Sequence, residues 1–385
     1  MESFASKAMK FIFSFFLIIL MTGCRGGKGD RQASSTGQPY EVVVEGDTDS
    51  IVTKILSEDV PALPQPEPLC NVINVKKGKV KGSYQMVRTR IVVDINPRYK
   101  AFSAKTTQDE DASPQLVIRI KAKSMEQLRA TFYNKSGEPN KSGELSKNGE
   151  PNKSGELSKK EEPNKNAELL RSIINQSELK HLVSVIKQNP EKQRVVKRMF
   201  GLNMKIPASM DASKKVKGFL WLSNNASSGM QNLVIFRLKG SGCTEPEAWT
   251  YSKDEINKVL RRNILGETDN MYMRLDGEKK MRLRGEGNMR LDGESHPNKE
   301  PEKDLDLLPM ERGLWDMKGD AMGGPYLMKV LPMSKGKIVT PRSYYRQPTR
   351  IDSRIVVIAF VYAPEMKKRN LTKQLEATLS TINPD

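Results

Sequence analysis

Hydrophobic and polar positions along this chain follow two kinds of pattern, one typical of strands and one typical of helices. Short runs rich in β-branched and aromatic residues, bounded by turn residues, predict strands at 40–44, 90–95, 115–121, 219–222, 233–238 and 355–362. The last run is apolar on both faces, which is typical of a strand covered on both sides of a sheet.

Apolar residues with helical spacing lie between these strands. Ser124 and Ser252 each precede a Gln or Glu by three residues, a capping-box pattern that predicts the start of a helix. Helical stripes occupy 179–200, interrupted at Asn189-Pro190, and 371–382. We therefore predict an α+β fold, a mixed, largely antiparallel sheet layered with helices, in which the element order of the two halves is loosely similar.

The N-terminus carries the pattern of an export signal. An apolar run at 11–21 follows two lysines and ends at Thr22-Gly23-Cys24, and it is shorter than the ~20 residues that span a membrane. This pattern predicts a lipoprotein signal peptide at 1–23, lipid attachment at Cys24 and a flexible tether at 24–39. The residues after Cys24 lack an acidic tract, which favours an anchor in the outer membrane that faces the periplasm.

Two repeat arrays interrupt the sequence. Six hexapeptides related to NKSGEP begin at residue 134, and three octapeptides of the form MRLxGE begin at residue 273. Both arrays carry too little apolar surface to offset the entropy of ordering. We therefore predict an α+β body at 40–385 with disordered insertions at 134–166 and 273–304.

The net charge of +18 belongs to the body, because acidic and basic residues nearly balance in both arrays. A surface this basic indicates either an anionic partner or a solvated surface with no ligand. Export to the envelope excludes nucleic acid as the partner and leaves an anionic envelope glycan, lipid or protein.

Histidine and cysteine are scarce. Two histidines and no CxxC pair provide neither metal-ligand spacing nor a histidine-based triad, so we predict no metal, no cofactor and no histidine-dependent catalysis. If Cys24 is acylated, Cys70 and Cys243 remain. They either pair in an oxidising compartment or stay as separate thiols.

A glycine-rich stretch at 312–326 is one candidate ligand loop, because glycine allows the backbone to approach another group closely. The alternative is a turn required by tight strand packing. The residues that would contact a ligand are Arg312, Trp315, Asp316, Lys318, Asp320 and Tyr326. The segment 221–225, with a Trp and a Ser/Asn cluster, is a similar but weaker candidate.

Lys367, Lys368 and Arg369 form a second candidate site. They fall in the first turn of the predicted C-terminal helix, where the helix dipole favours negative charge. Glu365 could offset part of this cost. The functional alternative is an anionic ligand held by the three cations and the helix N–H groups.

Several long segments resemble a known family. They are YEVVVEGD, DVPALPQPEPL, RIVVDINP, FLWLSNNASSG, RGLWDMKGDAMGGPY and VYAPEMKKRNLTKQLEATL. Through them the chain resembles, over nearly all of the mature sequence, the Bacteroidota lipoprotein family catalogued as domain of unknown function 4837. The resemblance implies an envelope lipoprotein and no activity.

The leading hypothesis is a lipid-anchored envelope protein of unknown molecular function that acts as a non-enzymatic binding or structural module. The rival hypothesis is a lipid-anchored hydrolase that acts on an envelope polymer. A hydrolase needs a positioned set of acid, base and nucleophile residues. The sequence offers no such set.

Overall fold

A computed structural model of the chain describes residues 32–134, 162–240, 250–268, 270–275, 280–282, 310–320, 322–340, 343, 347 and 349–382. The predicted signal peptide, Cys24, Cys243 and most of both repeat arrays lie outside these residues. From Ser34 onward the chain belongs to one compact unit.

The first sheet lies in the N-terminal half and is mainly parallel. Its strands are β1 (Glu41–Glu45), β2 (Asn71–Val75), β3 (Thr89–Ile95), β4 (Ser103–Gln108) and β5 (Leu116–Ala122), in the order β2-β1-β3-β5-β4. Only the edge strand β4 runs antiparallel to its neighbour. Three helices share a hydrophobic core with this sheet, namely α1 (Ile51–Leu56), α2 (Met125–Phe132) and α3 (Lys165–Val185).

The second sheet lies in the C-terminal half and is antiparallel throughout. Its main path runs β10-β12-β13-β15-β8-β7-β6, and β14 pairs with β13, while β9 pairs separately with β11. The strands are β6 (Ala212–Val216), β7 (Phe219–Ser223), β8 (Met230–Lys239), β9 (Thr250–Ser252), β10 (Tyr272–Leu275), β11 (Lys280–Arg282), β12 (Glu311–Lys318), β13 (Gly323–Ser334), β14 (Lys337–Ile338) and β15 (Ser353–Tyr362). The helices of this half are α4 (Pro190–Phe200), α5 (Lys253–Asn263) and α6 (Arg369–Ser380).

The predicted α+β class is confirmed, and most strand pairings are antiparallel. Two principal sheets replace the single mixed sheet, and all parallel pairings between the described strands fall in the first. Both halves combine a sheet with helices, but their strand order and direction differ. The prediction of a central strand near 355–362 is also confirmed, because β15 lies between β13 and β8 and is buried from Arg354 to Val361.

Local signals explain where several helices begin. The Ser124 hydroxyl accepts a hydrogen bond from the backbone N–H of Gln127 at the start of α2. The Ser252 hydroxyl caps α5 through Asp254 N–H, one residue earlier than the capping-box pattern implies. Helix α4 begins after Asn189 and ends at Gly201, which adopts a left-handed φ of 73°.

The boundaries predicted for the tether and the insertions need correction. Ser35 and Thr36 donate backbone hydrogen bonds to Ser113 and Met86, so the fold begins before residue 40. The second insertion was predicted to begin at Met273, but Met273 and Leu275 lie in β10 and are buried. The start of the first octapeptide therefore pairs with β12 as part of the second sheet, because its alternating Met and Leu side chains face the core.

Helix α6 is shared by two hydrophobic cores. Leu375 and Leu379 pack in the core of the second sheet, while Ala377 belongs to the core of the first. Helix α6 also packs against α3. Among the described residues no helix is long and apolar enough to cross a membrane.

Candidate functional site

The glycine-rich stretch is a β-hairpin rather than a loop. It forms β12 and the start of β13, with Trp315 opposite Gly324 in the antiparallel register. A Cβ atom at Gly324 would lie 2.2 Å from the carbonyl oxygen of Val361 on the neighbouring strand β15. Glycine is needed here because the strands pack tightly, so the close backbone approach at Gly324 is made to a neighbouring strand. Contact of this stretch with a ligand stays a prediction.

Three of the six predicted ligand residues have structural partners inside the fold. Trp315 is buried, and its indole Nε1 donates a hydrogen bond of 3.1 Å to Val361 O. The buried Tyr326 hydroxyl donates to Glu311 Oε1 at 2.6 Å. Arg312 donates two hydrogen bonds, of 2.7 and 3.1 Å, to the carboxylate of Glu376.

The other three predicted residues lie at the accessible end of the hairpin. Asp316 accepts two hydrogen bonds from Arg274, of 2.6 and 2.9 Å, and each side chain is about half exposed. Asp320 accepts from the backbone N–H of Met322 at 3.2 Å. Lys318 Nζ lies 5.4 Å from the centre of the Tyr272 ring.

A cleft of about 650 Å³ opens beside this end of the hairpin. We call it the hairpin cleft. It brings Trp315, Asp316 and Asp320 together with Lys368 of the other predicted site. Other segments contribute Pro64, Gln65, Tyr362 and Pro364. The segment 221–225 does not line it, and the Trp221 indole instead donates to Asn232 Oδ1 at 3.0 Å.

The anion predicted at the start of the C-terminal helix is a side chain of the protein itself. Glu67 accepts hydrogen bonds from the backbone N–H groups of Lys368 at 2.6 Å and Arg369 at 3.0 Å. A buried carboxylate at this position satisfies two N–H groups and the helix dipole together. The prediction that an external ligand occupies these N–H groups is therefore wrong.

The three cations of that site lie in different surroundings, and only one of them is exposed. Arg369 is buried and donates to Pro68 O at 2.7 Å, and Lys368 is buried except for its edge on the hairpin cleft. Lys367 alone of the three is exposed. Glu365, the sequence-based candidate for offsetting their charge, is exposed as well.

A buried polar network beside α6 was not predicted. Lys373 Nζ donates to Asn175 Oδ1 at 2.6 Å and pairs with Glu376 at 3.0 Å. The Tyr40 hydroxyl donates to the same Asn175 oxygen at 2.9 Å. Burial alone raises the pKa of Glu376, but Lys373 and Arg312 together hold the pKa of that carboxyl below its ordinary value.

Glu178 and Glu311 are two further buried carboxylates with several partners. Glu178 accepts from the backbone N–H of Tyr40 at 3.1 Å and from Arg88 Nε at 3.2 Å. Glu311 pairs with Lys253 Nζ at 2.8 Å and accepts from the Tyr251 and Tyr326 hydroxyls. Burial, followed by the charge and hydrogen bond of Glu311, raises the pKa of Tyr251. No local sequence pattern could have found these groups, because their partners lie far apart along the chain.

The described part of the chain was compared with the needs of a metal site and of a reactive thiol. There, no group of three His, Cys, Asp or Glu residues could hold a metal ion. Cys70 is a free, buried thiol, and burial raises its pKa to about 12. A thiol with this pKa is inert at neutral pH.

Two family models match this chain, one over the residues of the first sheet and one over the residues of the second. Residues 189–381 match the family described as Domain of unknown function (DUF4837), and residues 35–139 match a second family, Domain of unknown function (DUF8532). The expectation that one family covers nearly all of the mature chain is therefore corrected. The searches of curated proteins and of solved structures found no match.

Proposed function

The chain belongs to the DUF4837 family, and we propose that it is a lipid-anchored envelope protein that binds a neutral glycan in the hairpin cleft. The observation that carries the proposal is the composition of this cleft. It is large enough for a small ligand, at about 650 Å³, and combines an aromatic ring with several polar side chains.

The chemistry of the cleft favours a hydroxyl-rich ligand. Asp316, Asp320 and Gln65 supply oxygen atoms that accept hydrogen bonds from hydroxyl groups. Tyr362 is half-buried and offers an apolar face next to Pro364. Arg274 pairs with Asp316, and Asp320 and Lys368 carry opposite charges, so the charges at the cleft balance and a neutral sugar fits it better than an acidic one.

Binding without catalysis is the better description of this site. The carboxylate of Asp316 is held by Arg274, and that of Asp320 by the backbone N–H of Met322. These partners hold both carboxylates in place, and the remaining lone pairs can accept hydrogen bonds from a ligand. His181, the histidine that the structure describes, does not line the cleft.

The binding test uses the full chain and a neutral oligosaccharide, tetra-N-acetylchitotetraose, with affinity measured by calorimetry. We expect the double variant Asp320→Ala, Tyr362→Ala to bind at least ~10-fold more weakly, because it removes an acceptor and the apolar face, each of which contributes about 1 kcal/mol or more. Asp211→Asn is the matched control, since Asp211 is exposed and lies outside the cleft. An unmodified chain that does not bind the oligosaccharide refutes the proposal.

The lipid anchor has its own test. Replacing Cys24 with Ala removes the thiol that would be acylated, so labelling of cells with an alkyne fatty acid should disappear from the protein. Partitioning into the detergent phase of Triton X-114 should be lost in parallel. Cys70→Ala is the control, because this thiol is buried within the fold. Undiminished labelling of the Cys24 variant contradicts the anchor.

The alternative function, a lipid-anchored hydrolase of an envelope polymer, draws on one observation. Asp316 and Asp320 line the same cleft, and glycosidases use a pair of carboxylates. This alternative requires the release of new reducing ends from purified envelope polymer. It also requires that Asp316→Asn abolishes their release while the protein remains folded.

A further inference from the structure

A second cleft, of about 590 Å³, lies near the ends of α3, α4 and α6. We call it the basic cleft. It is lined by the cations Arg194, Lys197 and Lys205 and by the polar residues Gln193, Asn203 and Thr381. No Asp or Glu occurs among its described lining residues.

Two of the three cations are available to a ligand. Arg194 and Lys197 stand three residues apart on α4, so their side chains lie on the same side of the helix. Both are exposed, and neither forms an ion pair within the described part of the chain.

Lys205, the third cation, is held by hydrogen bonds to two other segments of the chain. Its Nζ donates to the carbonyl oxygen of Val183 at 3.0 Å, and its backbone N–H donates to Thr381 Oγ1 at 2.9 Å. These bonds hold the side chain half-buried in one position. An ammonium group has three N–H donors, so the others can still be given to a ligand.

The charge around the basic cleft is also strongly one-sided. Between Lys187 and Lys205 the sequence contains six basic residues and one acidic residue, Glu191. A concave surface with charge of one sign concentrates the field and attracts ions of the opposite sign. The basic cleft therefore differs from the hairpin cleft, whose charges balance.

We propose that the basic cleft binds the phosphate group of a ligand. Arginine presents several N–H donors in a planar fork that matches phosphate oxygens, and the two lysines add compact positive charge. Gln193 and Asn203 place amide groups at the same cleft. The inference does not depend on the hairpin cleft or on its ligand.

The test measures binding of the full chain to inorganic pyrophosphate by calorimetry, and to vesicles of phosphatidylglycerol or phosphatidylcholine by co-sedimentation. In the variant Arg194→Gln, Lys197→Gln we expect at least ~10-fold weaker binding to the phosphate probe, because each lost charge-assisted hydrogen bond contributes substantially. Pyrophosphate binding would identify a soluble phosphate ligand. Binding only to phosphatidylglycerol vesicles would identify a lipid headgroup.

The matched control is Lys192→Gln, Arg198→Gln, which removes the same charge from the same helix but from residues that do not line the cleft. If phosphate binds only in the basic cleft, the control variant should bind the phosphate probe with an affinity within ~2-fold of that of the unmodified chain. Equal losses in both double variants would show general charge attraction and overturn the site. Absence of binding to pyrophosphate and to both kinds of vesicle would overturn it as well.

Discussion

Glu67 illustrates how the residues around α6 satisfy one another. Its carboxylate is buried and accepts two backbone N–H bonds at the first turn of the helix, where Lys368 and Arg369 place their positive charge. The negative charge of Glu67 thus offsets the unfavourable interaction of these cations with the positive end of the helix dipole. Between α6 and the N-terminal half, the buried charged groups Glu67, Arg369 and Lys373 each form hydrogen bonds with other groups of the chain.

Replacing Glu67 with Ala should destabilise the protein by about 1–3 kcal/mol for each buried N–H group that remains unsatisfied. Chemical denaturation monitored by circular dichroism would measure this change. Glu365→Ala is the control, because Glu365 is exposed and surface substitutions typically change stability by less than about 0.5 kcal/mol. Equal stability of the two variants would contradict the role assigned to Glu67.

Cys70 provides a test that depends on pH. Burial raises the thiol pKa to about 12 from 9.0, so the folded thiol stays protonated where the unfolded thiol ionises. Its contribution to stability is therefore complete below about pH 9 and is lost as the pH rises towards 12.

At pH 8 we expect iodoacetamide to modify the Cys70 peptide only after urea is added, as read by mass spectrometry. Between pH 9 and 11, Cys70→Ala should lose less stability with rising pH than the unmodified chain. Rapid labelling of Cys70 without urea would contradict its burial.

At the scale of elements, the hairpin of β12 and β13 depends on close strand packing. Gly324 lies against the backbone of Val361, and the Trp315 indole donates to that same carbonyl oxygen. The hairpin therefore has a defined position against β15, and this position places Asp316 and Asp320 at the hairpin cleft. The glycine at position 324 is therefore explained by the close packing of β13 against β15.

Gly324→Ala should destabilise the protein by about 3 kcal/mol, near the upper end of the cost of overpacking, because strand β15 must shift to admit the added Cβ. Gly218→Ala is the control. Gly218 has a φ of 73° and open space around it, so its variant should cost only about 1 kcal/mol for the backbone conformation. A Gly324 variant as stable as the Gly218 variant would show that the strands can separate easily.

At the scale of the whole molecule, the two repeat arrays have different relations to the fold. The backbone N–H of Asn134 donates to Glu162 O at 3.0 Å, so the residues that flank the first array are adjacent. The second array begins in β10, whose Met273 and Leu275 are buried. Removing one array should therefore differ from removing the other.

Replacing residues 135–161 with a short Gly-Ser linker should leave the melting temperature within a few degrees, because loop length affects stability only logarithmically. Deleting 273–304 should lower it strongly, since loss of a buried Leu or Met costs about 2–5 kcal/mol. Differential scanning calorimetry of both deletions measures the contrast. Similar melting temperatures would show that β10 contributes little.

The sequence by itself determined the elements whose signals are local. Short runs rich in β-branched and aromatic residues predicted six strands, including the central β15, and Ser124 and Ser252 marked helix starts, because strand propensity and helix caps depend on neighbouring residues. Strands β4 and β6 are polar and β10 is only four residues long, and these strands were not predicted.

Only the tertiary structure decided which strand pairs are parallel and which partners the buried charges have. Glu67 meets a helix 301 residues later, and Lys373 meets Asn175 across 198 residues. Such contacts follow from how sheets and helices pack, and no pattern within one segment encodes them. The same packing formed the hairpin cleft and the basic cleft from separate segments of the chain.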